Sequence, residues 1–529
     1  MEKMLGVMLD CSRNAVMKVE TVKKYAEIIK KMGYNTLMLY TEETYEIPSQ
    51  PFFGHLRGRY SIDEIKDIDS YCKSIGIELV PCIQTLAHLG AMFKWRYAYD
   101  GINDCDDILL CGEEKTYELI EEMIKTLSMS FSSKKIHIGM DEAYRVGKGK
   151  YQDKHGVRDK FDVINEHLHR VCEIAEKYGF EPMIWSDMFC KLAAGLEGHS
   201  NSYGELERDA EIIREKAALP ENISLVYWDY YNTNIDHYRT MIQRNRLFGR
   251  PVYFAGGAWT WRGFAPDNGY SIRTTEAALE ACKSDKVDGM FITVWGDDGG
   301  ECSRFAILPS LMYTAEKLRG NDDMESIKAK FREIVGIDFD SFTLLDGFDY
   351  PQGKFVGSAC KMFLYNDAFM GMRDFLCREG DGEFYEKLAD DIKNIENKEG
   401  FELFFDSYEK LARVLALKTE LGIKTRKAYL AGDRKAVGAL AEEYGKTVDR
   451  IREFHKAYQA MWLDESKPHG FDVQDIRLGG LIQRLVSCKE RLEMYAAGRI
   501  NEIPELSEPV LQQDNGCISW AKSVSANNI

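Results

Sequence analysis

The chain has 529 residues, of which 45% are hydrophobic and 29% are charged, and this globular composition excludes a disordered, collagen-like or membrane-bundle protein. Its 69 basic and 86 acidic side chains give a net charge of −17, which repels nucleic acid and anionic lipid and leaves a neutral ligand as the more compatible partner. The 13 cysteines form no CxxC pair, the N-terminus lacks a signal-peptide core, and no metal or cofactor motif is present. We therefore expect free thiols, a cytoplasmic location, and no membrane, metal or cofactor.

Short apolar runs alternate with helical patterns along the first 320 residues. The runs predict strands at 5–9, 35–40, 77–84, 135–140, 181–186, 223–228, 252–255 and 289–295. The intervening patterns predict helices that include 22–32, 61–75, 114–128, 160–178 and 305–319. Ser61 followed by Glu64 forms a capping box, and Gly33, Gly76 and Gly179 are placed to end helices. Eight such units predict a (β/α)8 barrel over residues 1–320, with its chemistry at the carboxyl ends of the strands.

Long amphipathic stretches replace the strands beyond residue 320. They cover 359–376, 400–430, 434–461 and 474–497, and predict an all-helical C-terminal domain over residues 321–529. We expect this domain to pack against the barrel or to form a homodimer. A scaffold function carried by the helices themselves is the alternative.

Aromatic and charged side chains gather where the predicted strands end. Five of the eight tryptophans lie there, which is more than scattered core positions would give. Aromatic faces beside carboxylates suit a pyranose, whose C–H faces stack on rings while its hydroxyls form hydrogen bonds. The sequence therefore favours a sugar pocket built from these candidate residues: Asp10, Arg13, His88, His137, Asp141, Glu142, Trp185, Trp228, Trp259, Trp261, Trp295, Asp297 and Glu301.

The adjacent acids Asp141 and Glu142 follow the fourth predicted strand. Neighbouring side chains at a strand end point in different directions, so the two carboxylates can perform separate tasks. His137, four residues earlier, is either an interior histidine or a partner that holds a catalytic carboxylate. Asp10 and Arg13 form either a loop salt bridge or a grip on paired sugar hydroxyls.

The segment His137-Ile-Gly-Met-Asp141-Glu142 resembles the H-x-G-x-D-E signature of family 20 glycoside hydrolases, the β-N-acetylhexosaminidases. The similarity extends over about residues 1–320. It includes Arg13 as a sugar-gripping arginine, His88 as the histidine of the third-strand loop, and ring-lining tryptophans at 185, 228 and 295.

The resemblance implies a substrate-assisted retaining mechanism, in which the sugar's own acetamide oxygen attacks the anomeric carbon and forms an oxazolinium ion. It implies that Glu142 is the acid and then the base, and that Asp141 orients the acetamide N–H. The substrates it implies are small oligosaccharides or glycoconjugates with terminal GlcNAc or GalNAc.

The sequence departs from the family pattern at several positions. We expect no small α/β domain of the kind that commonly precedes the barrel, since the first predicted strand starts near residue 4. The Tyr-x-Asp usual after the seventh strand is replaced by 258–261, which contain Trp259, so Tyr230 or Tyr231 is the candidate for the acetamide hydrogen bond. The usual Trp-x-Glu after the eighth strand reads Trp295-Gly-Asp297, with Glu301 further on, which leaves two candidate acids for the distal hydroxyls.

Two other functions fit the same fold. One is a retaining glycosidase with an enzyme carboxylate as nucleophile, for which Asp187, Asp229 and Asp297 are candidates. The other is a glycan-binding protein without catalysis. Hydrolysis of an aryl glucoside separates the first from an acetamide-dependent enzyme, and binding without turnover would indicate the second.

Overall fold

Eight parallel strands close into a barrel in the computed structural model, which describes residues 3–196, 198 and 203–511. Each strand pairs with its neighbours in sequence and the first pairs with the last, so that Val7 lies opposite both Leu37 and Ile292. The barrel strands are β1 Met4–Asp10, β2 Thr36–Tyr40, β3 Glu78–Cys82, β4 Lys135–His137, β5 Glu181–Trp185, β6 Ser224–Trp228, β7 Val252–Gly257 and β8 Gly289–Val294. The predicted (β/α)8 barrel is confirmed.

The principal helices alternate with these strands and then continue alone. They are α1 Val19–Met32, α2 Ile62–Ser74, α3 Glu114–Ser130, α4 Lys160–Lys177, α5 Leu206–Lys216, α6 Ile235–Arg246, α7 Asn268–Ser284, α8 Leu308–Leu318, α9 Met324–Val335, α10 Asp381–Lys393, α11 Glu402–Lys418, α12 Leu421–Leu430, α13 Arg434–Glu465 and α14 Phe471–Ala496. Shorter helical turns are Gly90–Phe93, Arg96–Tyr99, Lys150–His155, Asp187–Ala193, Phe339–Thr343, Ala359–Tyr365 and Pro504–Ser507. A small antiparallel pair, Asn103–Cys105 with Ile108–Leu109, was not predicted. Across the described ranges, none of the helices combines the length and hydropathy that crossing a bilayer requires.

The helix boundaries follow their local signals. The Ser61 hydroxyl accepts the N–H of Glu64 at 3.1 Å, and the Glu64 carboxylate accepts the N–H of Ser61 at 2.8 Å, which is the predicted capping box. Gly33 ends α1 at φ +98°, a left-handed conformation that glycine adopts without a Cβ penalty.

The chain divides into two units by its internal contacts. The first contains residues up to Trp259, Gly269–Gly296 and Ser310–Ile327; the second contains Thr260–Asn268, Asp297–Pro309 and the residues from Lys328 onward. The domain boundary at residue 320 stays a prediction.

Side chains that alternate along the strands fill the interior of the barrel in the first unit. Phe291, Met8, Val80 and Val226 are fully buried there. Trp185, only 1% exposed, belongs to the same core, with Trp228 and Trp295 packed against it. A (β/α)8 barrel is thus filled by side chains and keeps its open space at the strand ends.

The second unit is helical, as predicted, but two of its helices are shorter than predicted. The stretch 359–376 is an α-helix over Ala359–Tyr365 and then turns, ending in a short 3₁₀ helix, Asp374–Leu376. The stretch 400–430 is interrupted near Thr419, which separates α11 from α12. Amphipathic periodicity indicates the buried face of a helix but does not show where the helix ends.

Candidate active site

The loop after β4 carries Asp141 and Glu142. The predicted strand 135–140 ends earlier, at His137, because Gly139 and Met140 both take left-handed backbone conformations with φ +74°. Glu142 is also left-handed, at φ +51°. A residue other than glycine held in that region costs on the order of 1–3 kcal/mol, so the surrounding structure must stabilise this loop.

Gly139 fits this position for two reasons. Its positive φ suits a residue without a side chain. In addition, a Cβ built there would lie 2.1 Å from Oε1 of Gln84 and 2.7 Å from the carbonyl oxygen of Ile83. The close approach of Gln84 is therefore possible only beside a glycine.

His88 lies between the two acids. Its Nε2 is 3.3 Å from Oδ2 of Asp141 and 3.7 Å from Oε2 of Glu142. Burial by itself lowers the pKa of His88, but the Asp141 carboxylate beside it outweighs burial and raises the pKa to about 10. Burial likewise raises the pKa of Asp141, whereas His88 and the hydrogen bond from Gln84 bring it below its ordinary value. The pair is therefore a cation beside an anion at neutral pH.

Three polar residues that were not among the sequence candidates extend this network. Gln84 donates to Oδ1 of Asp141 at 2.7 Å and to the hydroxyl of Tyr40 at 3.0 Å. Tyr40 donates to Glu42 at 2.9 Å, and Glu42 lies 3.1 Å from the guanidinium of Arg13. Burial raises the pKa of Glu42 to about 7, although Arg13 opposes that shift. All three follow or end β2 and β3, so the barrel rule that chemistry lies at strand ends was the signal that could have found them.

His137 holds the backbone of this loop and, within the described residues, forms no hydrogen bond with a carboxylate. Its Nδ1 accepts the N–H of Gly139 at 3.1 Å, and its ring lies 4.2 Å from that of Trp185. Complete burial lowers the pKa of His137 to about 3, so it is neutral. The Nε2 atom has no hydrogen-bond partner among the residues that the structure describes.

Three tryptophans from the ends of β5, β6 and β8 lie near one another. The rings of Trp185 and Trp295 are 6.2 Å apart, and Tyr40 meets Trp295 edge-on at 4.8 Å. Trp228 stacks on Tyr230 with the ring centres 5.3 Å apart. Within the described part of the chain, the indole N–H groups of Trp185 and Trp228 have no hydrogen-bond partner. Both indole nitrogens are buried within this apolar wall.

The structure separates the two candidate tyrosines. Tyr230 is buried, and its hydroxyl forms hydrogen bonds with the side chains of Trp295 and Thr293. Tyr231 is 55% exposed and its ring contacts that of Trp259. Trp259 is itself buried and donates its indole N–H to the carbonyl of Tyr230 at 2.9 Å, so it supports the segment that carries both tyrosines.

Asp10 connects the first and last barrel strands. One carboxylate oxygen accepts from the N–H and the hydroxyl of Ser12, each at 2.8 Å, and the other accepts the N–H of Gly296 at 2.8 Å. Asp10 is completely buried. Its contact with substrate stays a prediction, while its bonds to the protein fix the ends of β1 and β8.

Asp297 and Glu301 belong to the second unit. Glu301 is buried there, with one carboxylate oxygen 2.5 Å from the ammonium of Lys361 and the other 2.8 Å from the guanidinium of Arg477. The role of Glu301 toward the distal hydroxyls stays a prediction.

Asp187 follows β5 and contacts the loop that carries Asp141 and Glu142. Its Oδ2 accepts the N–H of Glu142 at 3.2 Å. Burial, with the neighbouring charges of Asp141 and Glu142, raises the pKa of Asp187 to about 7. A cavity of about 360 Å³ borders it, lined also by Trp228 and His237.

The geometry of these groups already indicates which class of reaction the site can support. Two neighbouring carboxylates, one 12% and one 31% exposed at the side chain, share a histidine at the carboxyl ends of the strands, beside indole rings. Within the residues described, no three potential metal ligands converge. A paired carboxylate beside an aromatic wall is the arrangement of a (β/α)8-barrel glycoside hydrolase.

Comparison with known proteins identifies the family. The family model "Glycosyl hydrolase family 20, catalytic domain" matches residues 4–293, and "Glycoside Hydrolase 20C C-terminal domain" matches residues 340–518. The chain belongs to glycoside hydrolase family 20, and it is a glycoside hydrolase.

Several known proteins are similar to this chain. Hexosaminidase D of Homo sapiens is 24% identical over 379 residues, covering 65% of this chain and 71% of that protein. Hexosaminidase D of Bos taurus is 20% identical, over 61% of this chain and 95% of its own length. Among solved structures, a β-N-acetylhexosaminidase from Bacteroides fragilis has a TM-score of 0.47 at 22% identity, covering 63% of this chain and 70% of the other. A Vibrio harveyi exo-β-N-acetylglucosaminidase has a TM-score of 0.48 at 15% identity, and this chain spans 58% of its length.

Proposed function

We propose that this protein is a β-N-acetylhexosaminidase that removes terminal non-reducing GlcNAc or GalNAc from oligosaccharides or glycoconjugates by substrate-assisted retaining hydrolysis. The observation that carries the proposal is the pairing of Asp141 and Glu142 around His88, at 3.3 Å and 3.7 Å. Membership of family 20 and the hexosaminidase names of the relatives support the same substrate class.

In the first step, the acetamide carbonyl oxygen attacks the anomeric carbon while the bond to the aglycone oxygen breaks. Glu142 donates its proton to that leaving oxygen. The acetamide becomes a positively charged oxazolinium ring, so no enzyme carboxylate needs to bond to the sugar. Holding the acetamide beside the anomeric carbon makes the attack effectively unimolecular.

In the second step, Glu142, now a carboxylate, takes a proton from water while that water attacks the anomeric carbon. The oxazolinium ring opens and the original configuration is restored. Asp141 accepts the acetamide N–H and stabilises the positive charge on the ring. The ionised state that this task requires is favoured by His88 and by the hydrogen bond from Gln84, which together lower the pKa of Asp141.

The remaining contacts in this proposal hold the sugar. Arg13, fixed by Glu42, binds hydroxyl groups, and the tryptophans at 185, 228 and 295 surround the acetamide.

The primary test compares aryl N-acetylglucosaminide with aryl glucoside. Substrate assistance requires the 2-acetamido group, so only the first should be hydrolysed, and a thiazoline analogue of the oxazolinium ring should inhibit it strongly. Comparable hydrolysis of the glucoside would refute the mechanism and favour a carboxylate nucleophile. Binding of GlcNAc oligosaccharides without turnover would refute the enzymatic role.

Substitution of the two acids separates their roles. Glu142→Gln should reduce kcat about 1,000-fold for a poor leaving group and much less for a dinitrophenyl group, which departs without a proton. Asp141→Asn should damage both reactions. Glu20→Gln, at a side chain that is 82% exposed, is the control and should leave both rates unchanged.

Removing one hydroxyl at a time tests which of the two tyrosines binds the acetamide. Tyr230 is buried next to Trp295, so Tyr230→Phe should raise KM for N-acetylglucosaminide if its hydroxyl meets the acetamide. Tyr231→Phe tests the rival candidate in the same way and should leave KM unchanged if Tyr230 makes the contact. The opposite ranking would assign the contact to Tyr231.

A cytoplasmic location and a homodimer belong to the same proposal. All 12 cysteines in the described ranges are free, which supports a reducing compartment. Cell fractionation tests the location, and light scattering tests the dimer.

A further inference from the structure

Side chains from three different strand ends hold the backbone of the loop that carries the two acids. The N–H of Gly139 is accepted by Nδ1 of His137 at 3.1 Å, and the N–H of Met140 by Oε1 of Gln84 at 3.0 Å. The N–H of Glu142 is accepted by Oδ2 of Asp187 at 3.2 Å. These three bonds satisfy backbone N–H groups beyond the last residue of β4, in a segment with left-handed residues at 139, 140 and 142.

Asp187 is the group in this set that touches Glu142 directly. It is 8% exposed, and Phe189, two residues on, is completely buried, so the start of its helix has little freedom to move. Its second oxygen, Oδ1, is buried and has no hydrogen-bond partner within the described residues. A carboxylate in this position contributes one specific bond, to the peptide that fixes the direction of the Glu142 side chain.

We propose that Asp187 is a positioning residue that fixes the left-handed backbone of Glu142 and thereby aims its carboxyl group at the leaving oxygen. The inference rests on the proposed function, because it assigns a means of orienting the acid of that reaction. Gln84 performs the corresponding task for Asp141, through its bonds to the N–H of Met140 and to Oδ1 of Asp141.

The geometry also assigns Asp187 a task other than nucleophilic attack. Its Oδ2 is held toward the loop by the N–H of Glu142, so a positioning role predicts losses that depend on the leaving group, whereas loss of a nucleophile would abolish both reactions. A side chain that acts only through Glu142 has a kinetic signature that neither a nucleophile nor a purely structural residue shows.

The test begins with Asp187→Ala and Asp187→Asn. Alanine removes the acceptor, and we expect kcat for a methoxyphenyl N-acetylglucosaminide to fall about 100-fold with little change in KM, since a misplacement near 1 Å has that effect. The dinitrophenyl substrate should lose less than about 10-fold. Asparagine keeps an oxygen that can accept the Glu142 N–H, so it should recover most of the activity.

A matched control is available at Asp69. It is 7% exposed and accepts the N–H of Ser132 at 3.1 Å, before the start of β4, so Asp69→Ala removes the same kind of bond from the opposite end of that strand. Asp69→Ala should lower the melting temperature without changing the ratio of rates on the two substrates. If Asp187→Ala does not fold, Asp187→Ser replaces it, because a serine hydroxyl is too short to reach the Glu142 peptide.

A double-mutant cycle gives the decisive readout. In a Glu142→Gln background, Asp187→Ala should cost less than about 3-fold, because there is no acid left to aim. An equal loss in both backgrounds, equal losses on both leaving groups, or an asparagine variant as damaged as alanine would each overturn the inference. If the unmodified enzyme fails to hydrolyse N-acetylglucosaminides, the proposed function falls; if it is active and Asp187→Ala matches it, only the inference falls.

Discussion

Gly139→Ala tests whether the conformation of the loop that carries Asp141 and Glu142 depends on a glycine. Alanine at φ +74° would be strained by about 1–2 kcal/mol, less about 0.5 kcal/mol from the more restricted unfolded chain. Its Cβ would also lie 2.1 Å from Oε1 of Gln84, which would have to move. That movement breaks the bonds from Gln84 to Met140 and to Asp141, which together contribute about 3 kcal/mol because one partner is charged.

The expected destabilisation is therefore about 4 kcal/mol. For a unit of about 300 residues, with an unfolding entropy near 2.1 cal/mol/K per residue, this lowers the melting temperature by about 6 °C. Gly179→Ala is the matched control: φ there is +79°, and a Cβ would meet nothing within 4 Å, so we expect a loss of about 1–2 °C.

Scanning calorimetry of both variants measures this difference, and kcat measures its consequence. Gly139→Ala should also reduce kcat by at least about 10-fold because Asp141 loses a partner, whereas Gly179→Ala should not. Equal melting temperatures for the two variants, with full activity in both, would refute the argument that the loop is held by the close approach of Gln84.

Two further predictions concern ion pairs of the first unit. The pKa of His88 is raised to about 10, so the stability that His88 contributes is fully present below its ordinary pKa, near 6.5, and is lost as pH rises toward 10. The pKa of Asp141 is lowered, so the stability that Asp141 contributes is present above about pH 4 and is lost in acid. The melting temperature of the wild type relative to His88→Gln should therefore be highest between about pH 4 and 6.5, and a difference that grows above pH 7 would contradict this sign. Arg244→Met removes the partner of the buried Asp209 carboxylate, which lies 2.8 Å from the guanidinium in the wild type, and should lower the free energy of unfolding in urea by about 3–5 kcal/mol. Adding Asp209→Leu should recover most of that loss. No recovery would show that the unpaired charge was not the cause.

The sequence was sufficient to place the barrel strands because each is buried on both faces and is therefore written as a continuous apolar run between polar turns. It also placed the polar candidates, since a side chain that follows such a run lies at the carboxyl end of the barrel. Strand β4 shows the limit of this reasoning. Its apolar pattern continues to residue 140, but the backbone becomes left-handed at Gly139. A pattern of hydrophobic residues does not predict the backbone angle φ.

The sequence by itself determined the eight strands, the alternating helices and the order in which Arg13, His88, Asp141 and Glu142 reach the strand ends. Only the tertiary structure decided that Gln84 lies between Tyr40 and Asp141, that His137 holds a backbone N–H, and that Glu301 pairs with Lys361 in the second unit. The physical reason is that hydrophobic burial is encoded residue by residue along the chain, whereas a hydrogen bond depends on a few tenths of an ångström between atoms that strand register and loop conformation bring together.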